Sequence, residues 1–65
     1  MEVNHPRYLT EKQVSEMTGR AVSTLRNDRT YRRGLPYVKL GRSVRYSLQD
    51  VRSYMESRKI ETAPL

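Results

Sequence analysis

Thr10 to Tyr31, TEKQVSEMTGRAVSTLRNDRTY, decides the fold. Thr10 and Gln13 stand three apart at the head of a helical pattern. In that spacing the threonine hydroxyl accepts from the third helical amide while the glutamine side chain reaches back to the cap amide. Glu11 adds a negative charge where a helix dipole favours one. Val14 and Met17 then lie three apart on one face, and Leu9, just before the cap, is placed to staple onto Val14. Gly19 ends the pattern, because glycine takes the positive φ of a helix terminus without steric cost. The first helix is therefore expected over 11–18. Ala21, Val22 and Leu25 supply the apolar positions of a second helix, which fades near Thr30–Tyr31. Two short helices about one glycine turn form a helix-turn-helix pattern.

Beyond Gly34-Leu35-Pro36 the period changes from helical to two. Val38 and Leu40, then Val44 and Tyr46, alternate with polar residues, and Leu40-Gly41-Arg42-Ser43 lies between them. Glycine at the first central position is the signature of a type II′ hairpin turn. The expectation places Val38, Leu40, Val44 and Tyr46 inward, Lys39 and Arg45 outward and Arg42 at the tip. Ser47 and Asp50 repeat the capping-box spacing and open a third helix. Its apolar face would be Leu48, Val51, Tyr54 and Met55, with Ile60 as an extension. The fold class is thus mostly α with a small β-hairpin: helix, turn, recognition helix, hairpin wing and C-terminal helix. Residues 1–8 read as an arm, 9–60 as the domain and 61–65 as a frayed tail.

Composition narrows the chemistry. The chain has 65 residues, enough for one small domain. It contains no cysteine, and His5 is its only histidine, so thiolate metal sites, disulfides and His-centred catalysis have no material. No paired carboxylates, phosphate-cradling glycine loop or metal-ligand spacing occurs, and no catalytic residue, metal or cofactor is expected. No apolar run reaches the length of a membrane span and no signal segment is visible, which makes the cytoplasm the expected location. The net charge is +6. Its distribution says more: from Arg20 to Tyr46, eight basic residues face the single acid Asp28, a net +7, while the rest of the chain holds five basic residues and six acids. Positive charge concentrated in one segment is the footprint of a polyanion partner.

In a helix-turn-helix the second helix is held out by the first so that its open face can enter the major groove. With Leu25 inward, that face holds Val22, Ser23, Arg26, Asn27 and Thr30. Arginine can bind guanine O6 and N7 through two hydrogen bonds, and asparagine can bind adenine N6 and N7 likewise. Ser23 and Thr24, near the helix start, suit a phosphate. Lys39, Arg42 and Arg45 make the hairpin a candidate DNA-contacting wing, set against the plainer reading of basic residues that protect a sheet edge. Arg32 and Arg33 fit a phosphate clamp or a solvated helix end equally. Tyr46 and Tyr54 belong in the core; Tyr31 and Tyr37 stay open. A single-strand or RNA binder would need aromatics on an exposed basic face, for which Tyr37 is the one candidate. A basic module meeting an acidic protein is the other alternative.

The run Leu9-Thr10, Val14, Gly19, Ser23-Thr24-Leu25-Arg26, then Gly34, Pro36 and Val38-Lys39-Leu40-Gly41-Arg42-Ser43-Val44-Arg45-Tyr46, resembles the excisionase-like (AlpA-like) helix-turn-helix family. The likeness covers about residues 8–58. It implies a MerR-type winged helix and a phage- or mobile-element-type protein that binds double-stranded DNA. Members of that family act as excisionases (recombination directionality factors), as transcriptional regulators, or as DNA-binding parts of packaging proteins. By position, Ser23, Thr24, Arg26 and Asn27 match the recognition helix, and Lys39, Arg42 and Arg45 the wing. Arg20 and Ala21 stand where the family usually has an apolar residue and a serine cap, and Asp28 often corresponds to an aromatic. The partners implied are duplex DNA, an integrase, or copies of the chain on adjacent sites. With no heptad or long dimerisation helix, the chain itself reads as a monomer in solution.

Overall fold

The structure is a computed structural model and describes residues 7–62. In chain order it contains β1 (Tyr8–Leu9), α1 (Glu11–Thr18), α2 (Val22–Thr30), β2 (Val38–Leu40), β3 (Ser43–Ser47) and α3 (Leu48–Ser57).

Local chemistry sets the helix ends. Thr10 caps α1 with both halves of the capping box formed: Gln13 N donates to Thr10 Oγ1 at 3.2 Å and Thr10 N donates to Gln13 Oε1 at 2.9 Å. Gly19 closes α1 in the left-handed conformation and donates its N–H to the Ser15 carbonyl. The start of α2 has no side-chain cap, since Ala21 occupies that position. Ser47 caps α3 by accepting from Asp50 N at 3.4 Å. The reciprocal bond expected from Asp50 is not made, because an aspartate side chain is one methylene too short for the reach that glutamine manages in α1.

The first eight residues do not all stay outside the fold. Tyr8 and Leu9 form a short strand antiparallel to the end of β3, with Tyr8 opposite Ser47 and Leu9 opposite Tyr46. Leu48 N donates to the Arg7 carbonyl at 2.8 Å and ties that strand to the head of α3. The sheet order is β1-β3-β2. The remainder of the expected arm and the last residues of the expected tail lie outside the described residues.

Leu9, Val14, Leu25, Leu35, Tyr46 and Val51 make the core, with Val44, Leu48 and Tyr54 packed against it. Three expected core contributors are on the surface instead: Met17, Met55 and Ile60. Met17 and Met55 lie at the edges of their helices' apolar stripes, Ile60 lies beyond the end of α3, and a core of six side chains has no second layer to cover them.

The wing corrects a more consequential expectation. Val38 and Leu40 were expected inward, but they are 40% and 61% exposed. The register explains it. Val38 pairs with Arg45, Lys39 with Val44 and Leu40 with Ser43, across a two-residue Gly41-Arg42 turn. Residues directly opposite in an antiparallel pair project to the same face, and successive residues alternate. Val44 and Tyr46 therefore share their face with Lys39, while Val38 and Leu40 share theirs with Arg45. A two-residue turn makes the expected four-residue apolar face geometrically impossible. Gly41 has φ +60° and Arg42 does not have a positive φ, the sign pattern of the type II′ turn.

Candidate nucleic-acid interface

The open face of α2 carries Ser23, Arg26, Asn27 and Thr30, all exposed; Thr24 is half-buried. Val22, expected on that face, is half-buried. Open grooves flank the helix. One lies toward the wing and is lined by Arg26, Arg29, Thr30, Tyr37, Lys39 and Arg42. It continues to the head of α1 past Glu11 and Lys12. The other, toward the inter-helix turn, is lined by Arg20, Ser23, Thr24, Asn27, Asp28 and Arg33.

The structure thus brings Arg26, Thr30, Lys39 and Arg42 together around one groove, and Ser23, Thr24, Asn27 and Arg33 around the other. Lys39, expected to point outward with Arg45, instead shares the groove with α2. Arg45 starts from the opposite hairpin face, turns its guanidinium back onto the Val44 carbonyl at 2.8 Å, and lines the continuation of the groove toward α1 with Arg26 and Arg42. Arg32 is exposed and has φ 55°, a left-handed residue that redirects the chain after α2.

The ion pairs were the part least visible in the sequence. Asp28, which reads as an isolated acid, is buried beneath two arginines. Arg20 Nη2 lies 3.0 Å from Asp28 Oδ2 and Arg33 Nε lies 3.1 Å from Asp28 Oδ1. The hydrogen bond from Arg33, aided by that from Arg20, outweighs the opposing effect of desolvation and holds the Asp28 carboxyl below the usual range. Arg33 N also donates to the Asp28 carbonyl at 2.9 Å, so the chain that leaves α2 is tied back to it twice. The one available signal was that Asp28 is the lone acid among eight cations.

Glu11, expected only to favour the α1 dipole, does more. It accepts from Arg26 through both carboxylate oxygens, Nε to Oε1 at 3.2 Å and Nη2 to Oε2 at 2.6 Å. It also accepts from Arg29 Nη2 at 3.2 Å. Arg26 is the main reason the Glu11 carboxyl is held below its ordinary range; burial opposes the shift and Arg29 reinforces it. The other end of Arg29 donates to the Tyr46 hydroxyl at 2.6 Å, and its guanidinium lies near the rings of Tyr37 and Tyr46. Tyr37 is 40% exposed and lines the groove between α2 and the wing, with its ring tilted against that of Tyr46 at a centroid distance of 6.4 Å. No local periodic signal links Glu11 to Arg26 or Arg29, since those contacts span 15 and 18 residues.

Against known proteins, the helix-turn-helix domain family matches residues 8–59. The chain belongs to that family. It is the family of AlpA- and excisionase-like small helix-turn-helix proteins, and the three helices and small antiparallel sheet agree with its winged form. No curated protein and no solved structure matches the chain. Within this helix-turn-helix domain α1 is the supporting helix, α2 the recognition helix and the β2–β3 hairpin the wing, a DNA-binding arrangement. Among the described residues no helix is long and apolar enough to cross a membrane.

Proposed function

We propose that this protein recognises a specific double-stranded DNA site and acts by binding, as an excisionase or a transcriptional regulator of a phage or mobile element, in the bacterial cytoplasm. The observation that carries the reading is the shared groove between α2 and the wing, where Arg26, Arg29, Thr30, Lys39 and Arg42 converge beside Tyr37 and Val44. Arg26 and Asn27 read base edges from α2 in the major groove. Ser23 and Thr24 at the helix start, and Arg33 beyond its end along the same groove, take backbone phosphates, while Lys39 and Arg42 follow the phosphates or the minor groove beside the wing. Arg32 and Arg45 add to the positive field. The protein binds as a monomer, with further copies on neighbouring sites or an integrase as its protein partners.

The test begins with selection of a preferred site from a pool of random duplexes. Affinity for that site is then titrated against salt. The basic residues on these faces should make four to seven phosphate contacts, giving a slope of log affinity against log salt of about −4 to −6. A slope near zero, or tighter binding to single strands than to duplex, would remove the support for this function.

A further inference from the structure

The side chains that link Arg26 to the core form a graded series. Tyr46 is 1% exposed. The side chains of Arg29, Glu11 and Arg26 are 16%, 24% and 64% exposed. Each touches the next by a hydrogen bond between 2.6 and 3.2 Å. A buried phenol is thus connected through a guanidinium and a carboxylate to Arg26, an exposed arginine that lines the groove.

The edge of Arg26 that Glu11 occupies matters. A guanidinium has five N–H donors: one on Nε and two on each terminal nitrogen. Glu11 takes Nε–H and one N–H of Nη2, the side edge of the fork. Both Nη1 donors and the remaining Nη2 donor stay available, and together they form the end-on edge. Two donors in that spacing match guanine O6 and N7. We infer that Glu11 is a positioning residue for DNA recognition: braced by Arg29 and Tyr46, it fixes Arg26 so that its end-on edge reads a guanine in the major groove. This rests on the reading of α2 as the recognition helix and adds to it a residue from α1 that sets base preference without touching a base.

A carboxylate beside a DNA-binding face has a second effect that the test must separate. It repels phosphate, so its removal strengthens binding to any DNA. A positioning role makes a different demand: removal must weaken the preference for guanine over other bases at one position. The experiment measures affinities of wild type, Glu11→Gln, Tyr46→Phe, Arg26→Ala and the double variant Glu11→Gln/Arg26→Ala. The duplexes are the selected site, the same site with each guanine replaced in turn, and a random duplex. Wild type should prefer guanine at the position that Arg26 reads by roughly tenfold or more, the range of one bidentate contact. Glu11→Gln should bind random DNA as well as or better than wild type, yet lose most of that preference. In the Arg26→Ala background, Glu11→Gln should leave base preference unchanged. Tyr46→Phe removes only the hydroxyl that anchors Arg29, far from any phosphate, and should reduce the same preference at the same position. Circular dichroism confirms that each variant is folded at the binding temperature, and Tyr46→Phe carries the test should Glu11→Gln not be.

Failure takes two distinguishable forms. If wild type shows no guanine preference that Arg26→Ala abolishes, the base-reading role of Arg26 fails, and the positioning role with it. If Arg26→Ala abolishes a preference that both Glu11→Gln and Tyr46→Phe retain in full, α2 still reads DNA and the positioning role alone is overturned.

Discussion

Replacement of Gly34 by alanine should damage this domain well beyond the effect of a β-carbon on backbone conformation. Gly34 has φ +82°, and an added Cβ would lie 2.9 Å from Asp28 Oδ2, 3.2 Å from Asp28 Cβ and 3.3 Å from its Cγ. The backbone part can be sized separately. A left-handed conformation costs a non-glycine residue roughly 1–2 kcal/mol. Loss of freedom in the unfolded chain offsets about 0.4–1 kcal/mol of that. The net of about 1 kcal/mol lowers the melting midpoint of a domain this small by about 4–8 °C. Gly41 isolates this part, since it has φ +60° and open space around its missing Cβ. At Gly34 the carboxylate must also retreat by several tenths of an ångström. It cannot do so without stretching the 3.0 and 3.1 Å bonds to Arg20 and Arg33 toward the limit of hydrogen bonding. Gly34→Ala should therefore lower the midpoint at least twice as far as Gly41→Ala, by more than about 10 °C. Thermal melts followed by far-ultraviolet circular dichroism at neutral pH measure both. In an Asp28→Ala background, which removes the carboxylate, most of the excess should vanish. Equal midpoints for Gly34→Ala and Gly41→Ala would refute the argument, as would an excess that survives the loss of the carboxylate.

Asn27→Ala should cost about 1–3 kcal/mol on the preferred site and blur base preference there, whereas Arg42→Ala should weaken selected and random duplexes alike and make the salt slope shallower by about one; filter binding on both duplexes across a salt series separates the two roles. Gly41→Val, a β-branched residue at a positive-φ turn, should distort the wing at a cost of about 1–3 kcal/mol and weaken DNA binding although no charge changes, with affinity falling more than helical circular dichroism; an unchanged affinity would mean the wing is not a contact. Acid should destabilise the domain: the Asp28 and Glu11 carboxyls are held below their ordinary range, so their contribution is complete above the unfolded carboxyl value of about 4 and is lost as pH falls through the lower folded values. Melting midpoints should stay level from neutral pH to about pH 5 and fall below about pH 4, and Asp28→Asn should lower the neutral midpoint and flatten the acid limb.

What the sequence disclosed and what it hid divide along a physical line. The ends of α1, the Gly41 turn and the Ser47 cap are decided within three or four residues, and each is legible as a local pattern. β1 is not, because two residues are too few to show alternation and their strand character comes only from pairing with Tyr46 and Ser47. The facing of the wing strands is local information as well. Once Leu40-Gly41-Arg42-Ser43 is read as a two-residue turn, the pairing of Leu40 with Ser43 follows, and with it the placement of Lys39 beside Val44. At the candidate interface, exposure of Ser23, Arg26, Asn27 and Thr30 follows from helical spacing about Leu25. The attachment of Arg26 to Glu11 does not, since it depends on how two helices cross and on which of eight cations a given acid meets.

The core draws one side chain from nearly every part of the chain: Leu9 from β1, Val14 from α1, Leu25 from α2, Leu35 from the connection, Tyr46 from β3 and Val51 from α3. No element supplies a second buried apolar side chain, so none persists when the others melt, and the domain should unfold in a single step. The same economy leaves the outward faces of α2 and the hairpin almost free of structural duty. Substitutions on such a surface should cost the fold little. Tyr46 is where that freedom stops. It is at once a keystone of the interior and, through Arg29, an anchor of Glu11 on the outer surface, so substitution at this position should alter endurance and base preference together.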